Sequence, residues 1–332
     1  MDSVKGITKE QSAWTVVTGG AGFIGRNVVA ELNRRGEKRI LVVDDLGLDE
    51  RWKNLRGLAF EEVWGIDDFR ARLGGARALP EIRTVYHLGA CSATTETDAD
   101  YLLDNNTRYT KELCEWCLAH DARFVYASSA ATYGDGAQGY SDADSATLTL
   151  APLNMYGMSK HLFDLWALRN GLFGKIAGLK YFNVYGPGED HKGDMRSVIH
   201  KAYHQIRQGG VVKLFKSYRK EYADGEQVRD FIAVEDAVAV TLFCGEHPEA
   251  SGLFNCGTGQ ARSWNDLAKA VFAALGLAPN IQYIEMPETL RGKYQYFTQA
   301  EMGKLRAAGY AAEFRSLEEG IRGYVQNWLM KN

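Results

Sequence analysis

The sequence predicts an α/β fold: a Rossmann-type doubly wound parallel sheet followed by a smaller mixed α/β C-terminal substrate lobe. Three observations carry this. Short β-rich runs alternate with amphipathic stretches through the first half. A glycine triplet follows the first such run directly. After about residue 185 the alternation loosens. Strands alternating with helices of ten or more residues imply βαβ units, and hence a parallel sheet covered on both faces.

The elements follow in order. Trp14 to Thr18 reads as a buried strand. Ile24, Val28 and Leu32 then recur at helical spacing, and Gly36 is placed to end that helix. Arg39 to Asp44 is the second strand, Arg83 to Leu88 the next, and Arg123 to Ser128 another, with one long helix expected from Ala99 to His120. Ile176 to Phe182 is again a strand. Beyond it the pattern predicts helices over Asp194 to Arg207, Glu235 to Cys244, Trp264 to Leu275 and Ser316 to Met330, with short strands Val211 to Phe215 and Gly252 to Asn255. The expected division is residues 14–185 for a dinucleotide-binding domain and 186–332 mainly for substrate, with some later segments returning to the first.

Composition bounds the function. The 332 residues are 45% hydrophobic, enough for a sizeable core, and 39 basic against 42 acidic residues leave a net charge of −3. That balance opposes a nucleic-acid-binding surface. No apolar run approaches the ~18 residues of a membrane span. Asp2, Lys5, Lys9 and Glu10 stand where a signal peptide needs apolar residues, so the expectation is a cytoplasmic protein. Five cysteines form no disulfide framework; Cys114 and Cys117 lie in a predicted helix and read as core. The seven histidines show no metal-ligand pattern, and no metal is expected.

Gly19, Gly22 and Gly25 lie between a strand and a helix, which makes the triplet specific. Gly19 lets the chain turn, Gly22 lets backbone approach a pyrophosphate, and Gly25 lets helix and strand pack closely. Free N–H groups at the helix start then meet the phosphates. Asp44 and Asp45 close the second strand, where an acid accepts the adenosine ribose hydroxyl and favours NAD. Arg51 and Lys53 lie just beyond, and Arg26 at the helix start; any of them could neutralise a 2′-phosphate and favour NADP. The residues leave that choice open.

Tyr156 is followed four positions later by Lys160, so one helix face carries both. A tyrosine of pKa ~10 is a poor base at neutral pH, and a neighbouring ammonium favours its phenolate. Ser129 ends the preceding strand, where it can hydrogen-bond a reacting hydroxyl.

This set resembles the extended short-chain dehydrogenase/reductase superfamily. Six segments carry the resemblance further: His87 to Glu96, Asp104 to Asn106, Ser128 to Gly134, Tyr181 to Pro187, His191 to Met195 and Tyr294 to Ala300. They resemble the ADP-L-glycero-D-manno-heptose 6-epimerases. The resemblance implies tightly held NADP, a cytoplasmic step that makes the heptose donor for lipopolysaccharide inner core, and a homo-oligomer, usually a pentamer. It implies oxidation of the sugar at C6″ and return of the same hydride to the opposite face, with Tyr156 serving one orientation of the carbonyl and Lys192 the other.

For the cofactor the resemblance adds Phe23, Ile24, Leu88, Gly89, Ala90, Cys91, Ser92, Asn105, Val184 and Lys192 to the residues above. For the substrate it points to Asn183, Asp194, Lys201, Phe215, Arg229 and Tyr294. Departures are Leu88 in place of an acid, Asp194 in place of a small residue, Arg51 in place of a lysine, a missing lysine near Ile66, and a longer loop from Ser217 to Gln227. Rivals are a UDP-hexose 4-epimerase, which leaves Lys192 unexplained, and a dinucleotide-sensing protein without turnover, which would not need both Tyr156 and Lys160. A 4,6-dehydratase would want an Asp-Glu pair where Ala130 and Ala131 stand.

Overall fold

The computed structural model describes residues 13–291 and 294–331. The segment with Asp2, Lys5, Lys9 and Glu10 lies outside the described residues. Its largest element is a seven-stranded, all-parallel sheet in the order β10-β6-β5-β4-β1-β2-β3. The strands are β1 (Trp14–Thr18), β2 (Ile40–Val43), β3 (Glu62–Trp64), β4 (Ile82–His87), β5 (Arg123–Ser129), β6 (Ala177–Tyr181) and β10 (Gly252–Cys256).

Why these runs are almost wholly apolar follows from burial on both faces. Val17 of β1 and Val42 of β2 pack with Val28 and Val29 of helix α1 (Phe23–Arg34) and Val240 of α6 (Val234–Glu246). Their neighbours Val16 and Leu41 point to the other face, against Phe69 of α2 (Ile66–Leu73), Leu113 of α3 (Tyr109–Ala119) and Phe163 of α4 (Met155–Arg169). Each such fully buried aliphatic side chain contributes roughly 1.5–3 kcal/mol. Cys114 and Cys117 belong to this second layer and are free thiols.

The remaining strands build two small sheets. One is β11-β9-β7, with β7 (Asn183–Tyr185) parallel and β11 (Ala261–Ser263) antiparallel to β9 (Val228–Ala233). The other pairs β8 (Val212–Phe215) with β12 (Ile281–Ile284). They share a separate core with α5 (Val198–Gly209), α7 (Trp264–Ala274) and α8 (Leu317–Tyr324). Only Phe182 separates β6 from β7, so the chain passes from the large sheet to the small one within one residue. Among the described residues no helix is long and apolar enough to cross a membrane.

Three sequence expectations need correction. The helix expected over Ser316 to Met330 is α-helical only over Leu317–Tyr324 and passes into a π segment at Val325–Leu329. The stretch from Ala99 to His120 is not a uniform α-helix: a π segment, Leu103–Arg108, interrupts it between Ala99–Leu102 and Tyr109–Ala119. The helix expected from Asp194 begins at Val198. Asp190–Met195 is a 3₁₀ turn broken at Gly193, and Ser197 caps the following helix by accepting from His200 N–H. The left-handed φ of Gly193 and the Ser197 cap both favour a fresh start over continuation.

Candidate active site

The sheet reverses its winding between β1 and β4, and ligands of such folds bind at the carboxyl ends of the strands at that point. Here the glycine turn after β1 meets the loop after β4. A side-chain carbon on Gly19, which has φ +66°, would lie 2.6 Å from Gly89 N. One on Gly25 would lie 2.0 Å from Gly19 O. Both positions therefore exclude any side chain, leaving bare backbone at the start of α1. The Thr18 hydroxyl accepts from Gly89 N–H at 3.1 Å and pairs with His87 Nδ1 at 2.7 Å. Burial takes the His87 imidazole down to about 3, so it stays neutral.

The loop Leu88 to Ser92 is held from behind by Asn106. Its side-chain carbonyl accepts from Cys91 N–H at 2.9 Å, and its amide donates to Cys91 O at 2.9 Å and to Ser159 Oγ at 3.0 Å. Asn105 donates to the Asn106 side chain at 3.1 Å. The π segment supplies this clamp, consistent with the frequent placement of such bulges at functional sites. Leu88, Ile24 and Val184 pack on the core beneath the site. Gly89, Ala90 and Cys91 are partly exposed, and Ser92 is exposed.

At the adenosine end, Asp44 is 6% exposed and accepts from Ala21 N–H at 3.0 Å. Arg51 reaches Asp44 Oδ1 at 3.4 Å and the Asp45 carbonyl at 3.3 Å, while the Asp45 carboxylate accepts from Ile66 N–H at 3.0 Å. Burial pushes the Asp44 carboxyl up, and Arg51 offsets part of that. Arg51 Nε is buried with no hydrogen-bond partner among the described residues, so the guanidinium keeps a donor for an arriving anion. Together with the side-chain-free glycine turn, this fits a dinucleotide.

Helix α4 begins at Asn154, whose side chain accepts from Gly157 N–H at 2.8 Å. Gly157 lets the first turn press on the Ala130–Tyr133 turn: a side-chain carbon there would sit 2.8 Å from Ala131 O. That approach brings Tyr156 to Ser129. Burial pushes the Tyr156 phenol up, and its hydrogen bond with Ser129 brings it part of the way back. Ser129 Oγ also accepts from Ala131 N–H at 3.1 Å. Lys160 is 4% exposed, and burial pushes its ammonium down to about 8, against the opposing pull of Asp164.

Lys192 arrives from a different segment. Its ammonium lies 5.2 Å from the ring centroid of Phe23, over the glycine turn. Asn54 fastens this segment by donating to Gly188 O at 3.1 Å and Ala21 O at 2.9 Å, and Asn27 donates to Pro187 O at 2.8 Å. Burial pushes the Lys192 ammonium down, with Glu189 opposing.

The structure brings some of the expected substrate residues together and leaves others apart. Arg229, 6% exposed, lies 5.1 Å from the Tyr294 ring. It donates to the carbonyls of Val228, at 2.8 Å, and Gln295, and has no carboxylate partner among the described residues. Burial lowers its guanidinium. A buried cation answered only by carbonyls and rings is suited to a pyrophosphate. Asn183 is exposed on β7, beside the β9 strand that carries Arg229. Lys201 donates to Asp194 O at 2.7 Å, so these two lie together. Phe215 ends β8 on the two-stranded sheet, with no ring contact to Tyr294 among the described residues. Asn106, Asn54 and Asp164 were missed by the sequence reading. Their partners lie on other elements, so spacing along the chain carried no signal.

Residues 15–257 match the family model described as NAD dependent epimerase/dehydratase family. The ADP-L-glycero-D-manno-heptose-6-epimerase of Nitratidesulfovibrio vulgaris, strain Hildenborough, is 55% identical over 314 residues, which cover 95% of this chain and 97% of that protein. The protein of that name from Fusobacterium nucleatum is 47% identical over 325 residues, 95% and 98% of the two chains.

The chain belongs to the ADP-L-glycero-D-manno-heptose-6-epimerase family. It is an isomerase with a Rossmann-like fold and a nicotinamide dinucleotide cofactor. Among solved structures, the Helicobacter pylori enzyme of the same name superposes with TM-score 0.81 at 28% identity, covering 98% of this chain and 99% of that one. The Thermotoga maritima UDP-glucose 4-epimerase, solved with UDP-glucose, gives 0.77 at 27%, covering 96% and 99%.

Proposed function

We propose that this epimerase inverts C6″ of ADP-D-glycero-D-manno-heptose to give the L-glycero epimer, by oxidation to a C6″ ketone and reduction on the opposite face. The observation that carries this reading is the pairing of Tyr156 and Ser129 on α4 and β5 with a further, half-buried amine, Lys192, docked over the glycine turn. A 4-epimerase reading accounts for the first pair and leaves the second idle.

C6″ carries a hydroxyl and a hydrogen that is not acidic, so direct proton removal is too slow. A bound nicotinamide dinucleotide supplies the hydride acceptor and, on return, the donor. Ser129 orients the C6″ hydroxyl, and Tyr156 takes its proton as the hydride leaves. Lys160, as a cation beside it, favours the phenolate and holds the nicotinamide ribose. The carbonyl then turns over, and its oxygen meets Lys192, which gives the proton as the hydride returns. The lowered proton affinity of Lys192 suits an acid that must also act as a base when the reaction runs backwards. Loss of one proton and gain of another leave the enzyme to reset by proton exchange with solvent.

The backbone of Gly19, Gly22, Phe23, Ile24 and Gly25 would hold the pyrophosphate, Leu88 to Ser92 with Asn105 would border the dinucleotide, and Val184 would serve its nicotinamide end. Arg51 takes the adenosine 2′-phosphate in this reading, which makes the cofactor NADP, with NAD the alternative. Arg229 grips the substrate pyrophosphate, and Asn183, Asp194, Lys201, Phe215 and Tyr294 complete the pocket. Residues 14–185 serve the dinucleotide and 186–332 mainly the sugar nucleotide. The wider setting we propose is a cytoplasmic homo-oligomer, a pentamer, supplying heptose for lipopolysaccharide inner core.

The test is to purify the protein, identify the nicotinamide it carries, and offer ADP-heptose or UDP-glucose with no cofactor added. Inversion of ADP-heptose alone is expected; inversion of UDP-glucose in its place would overturn the reading.

A further inference from the structure

Behind Tyr156 and Lys160 lies a charged cluster that the chemistry above does not use. Asp164 is fully buried, one helical turn beyond Lys160 on α4. Its carboxylate accepts from Tyr126 Oη at 2.8 Å, Ser128 Oγ at 2.7 Å and Lys180 Nζ at 3.1 Å. Lys180, on β6, is equally buried. It also donates to Thr132 Oγ1 at 2.6 Å, and that hydroxyl donates in turn to Ser129 O at 2.8 Å. One carboxylate–ammonium pair thus ties together α4, β5, β6 and the turn that carries Ser129.

Stability alone is a poor reason for such a pair. Taking two charges out of water costs several kcal/mol per ion, and well-packed apolar residues of similar volume often serve as well. What apolar residues could not supply is a fixed negative charge one turn from Lys160 and a rigid tether on the Ser129 turn. We propose that Asp164 is a positioning residue for the reaction: through Lys180 it fixes the turn that follows Ser129, and as a buried negative charge one helical turn away it favours the Lys160 cation. This rests on the roles given above to Tyr156, Ser129 and Lys160.

Other titratable groups face these two, among them Tyr133, whose phenol burial holds protonated and whose ring lies 4.8 Å from Lys180 Nζ. Cys91 and His87 also face Lys160. The thiol favours the cation, and the imidazole is neutral above about pH 3. His161 faces Asp164 from its own helix, and burial keeps its imidazole below the usual range despite that carboxylate. Tyr126 is held protonated by burial, and the carboxylate next to it acts in the same direction. Asp164 is therefore the buried carboxylate on the same helix whose charge favours the protonated form of Lys160.

The experiment is the pH dependence of epimerisation by D164N, by the double variant D164N/K180M and by K180R. D164N keeps side-chain shape and one acceptor but removes the charge. Its alkaline limb should move down by about one pH unit, as expected for loss of a charge one helical turn away. The kcat at pH 7.5 should fall about tenfold with KM within about twofold, because the groups that grip the substrate are elsewhere. The double variant leaves no unpaired buried ammonium, is read where D164N does not fold, and should show the same downward limb. K180R keeps the charge but forces a larger group into a filled site, so its kcat should fall while its alkaline limb stays within about 0.3 pH units of the parent's. A limb unmoved in a folded variant lacking the carboxylate overturns the proposal. Y156F is run alongside: its near-complete loss of turnover supports the roles assumed, whereas full activity in Y156F would refute those roles and not the placement of Asp164.

Discussion

The sheet-end half of the site and the substrate half are built by opposite means. Around the glycine turn, position is set by backbone and by buried hydrogen bonds with no slack: Gly19 against Gly89, Asn106 clamping Cys91, Asn54 pinning the segment that carries Lys192. Around Arg229 the surroundings are rings and further cations. Tyr294 lies beside it and meets Tyr296 edge-on, Tyr222 lies tilted against Tyr296, and Arg219 and Arg291 lie over Tyr296 and Tyr218. The first half fixes reacting atoms, where a displacement of an ångström costs rate. In the roles proposed above, the second grips a large ligand through area and charge, where shape can vary without changing the chemistry. Substitutions in the two halves should therefore separate kcat from KM.

The largest effect should come from Y156F, with kcat down about a thousandfold and KM nearly unchanged, measured by steady-state turnover of ADP-heptose. K192M should lower kcat about a hundredfold. Partial oxidation of one epimer should persist in it, read as slow appearance of reduced dinucleotide absorbance. If instead K192M raised only KM, Lys192 would belong with the gripping half. R229M should raise KM about tenfold or more while kcat changes little, since a cation on a pyrophosphate is used equally in ground and transition states.

A subtler effect tests the sign of the Lys160 shift. Its ammonium, brought down to about 8 by burial, loses its charge as pH rises through that value, so activity should fall there. K160R, charged at all working pH values, should carry the alkaline limb upward by more than about one unit. In stability the same shift works the other way. The folded state disfavours the Lys160 charge, a cost present in full below about pH 8 and relieved as pH rises toward the unfolded value near 10.5.

The two halves also differed in how far the sequence revealed them. β1, β2, β4, β5 and β6 were legible because burial on both faces demands unbroken apolar runs, and the glycine triplet and the Tyr156–Lys160 spacing are local signals. β3 was not, because Glu62–Trp64 is a short edge strand that stays partly exposed. β9 was not, because Arg229 and Asp230 interrupt its apolar run, and each is buried with the help of partners distant in sequence. The π segment was invisible for a related reason. Its helical pattern is continuous, and only the reach of Asn106 to Cys91 and Ser159 gives the extra residue a purpose. Asp164 carries no signal of its own in the sequence; only the convergence of Lys180, Ser128 and Tyr126 marks it.

The account turns on hydride leaving and re-entering the same carbon. Turnover of ADP-heptose in deuterium oxide, followed by mass spectrometry and NMR at C6″, reads that directly. The expected product carries the original hydrogen at C6″ and no deuterium there; deuterium at C6″ in proportion to turnover would contradict the account.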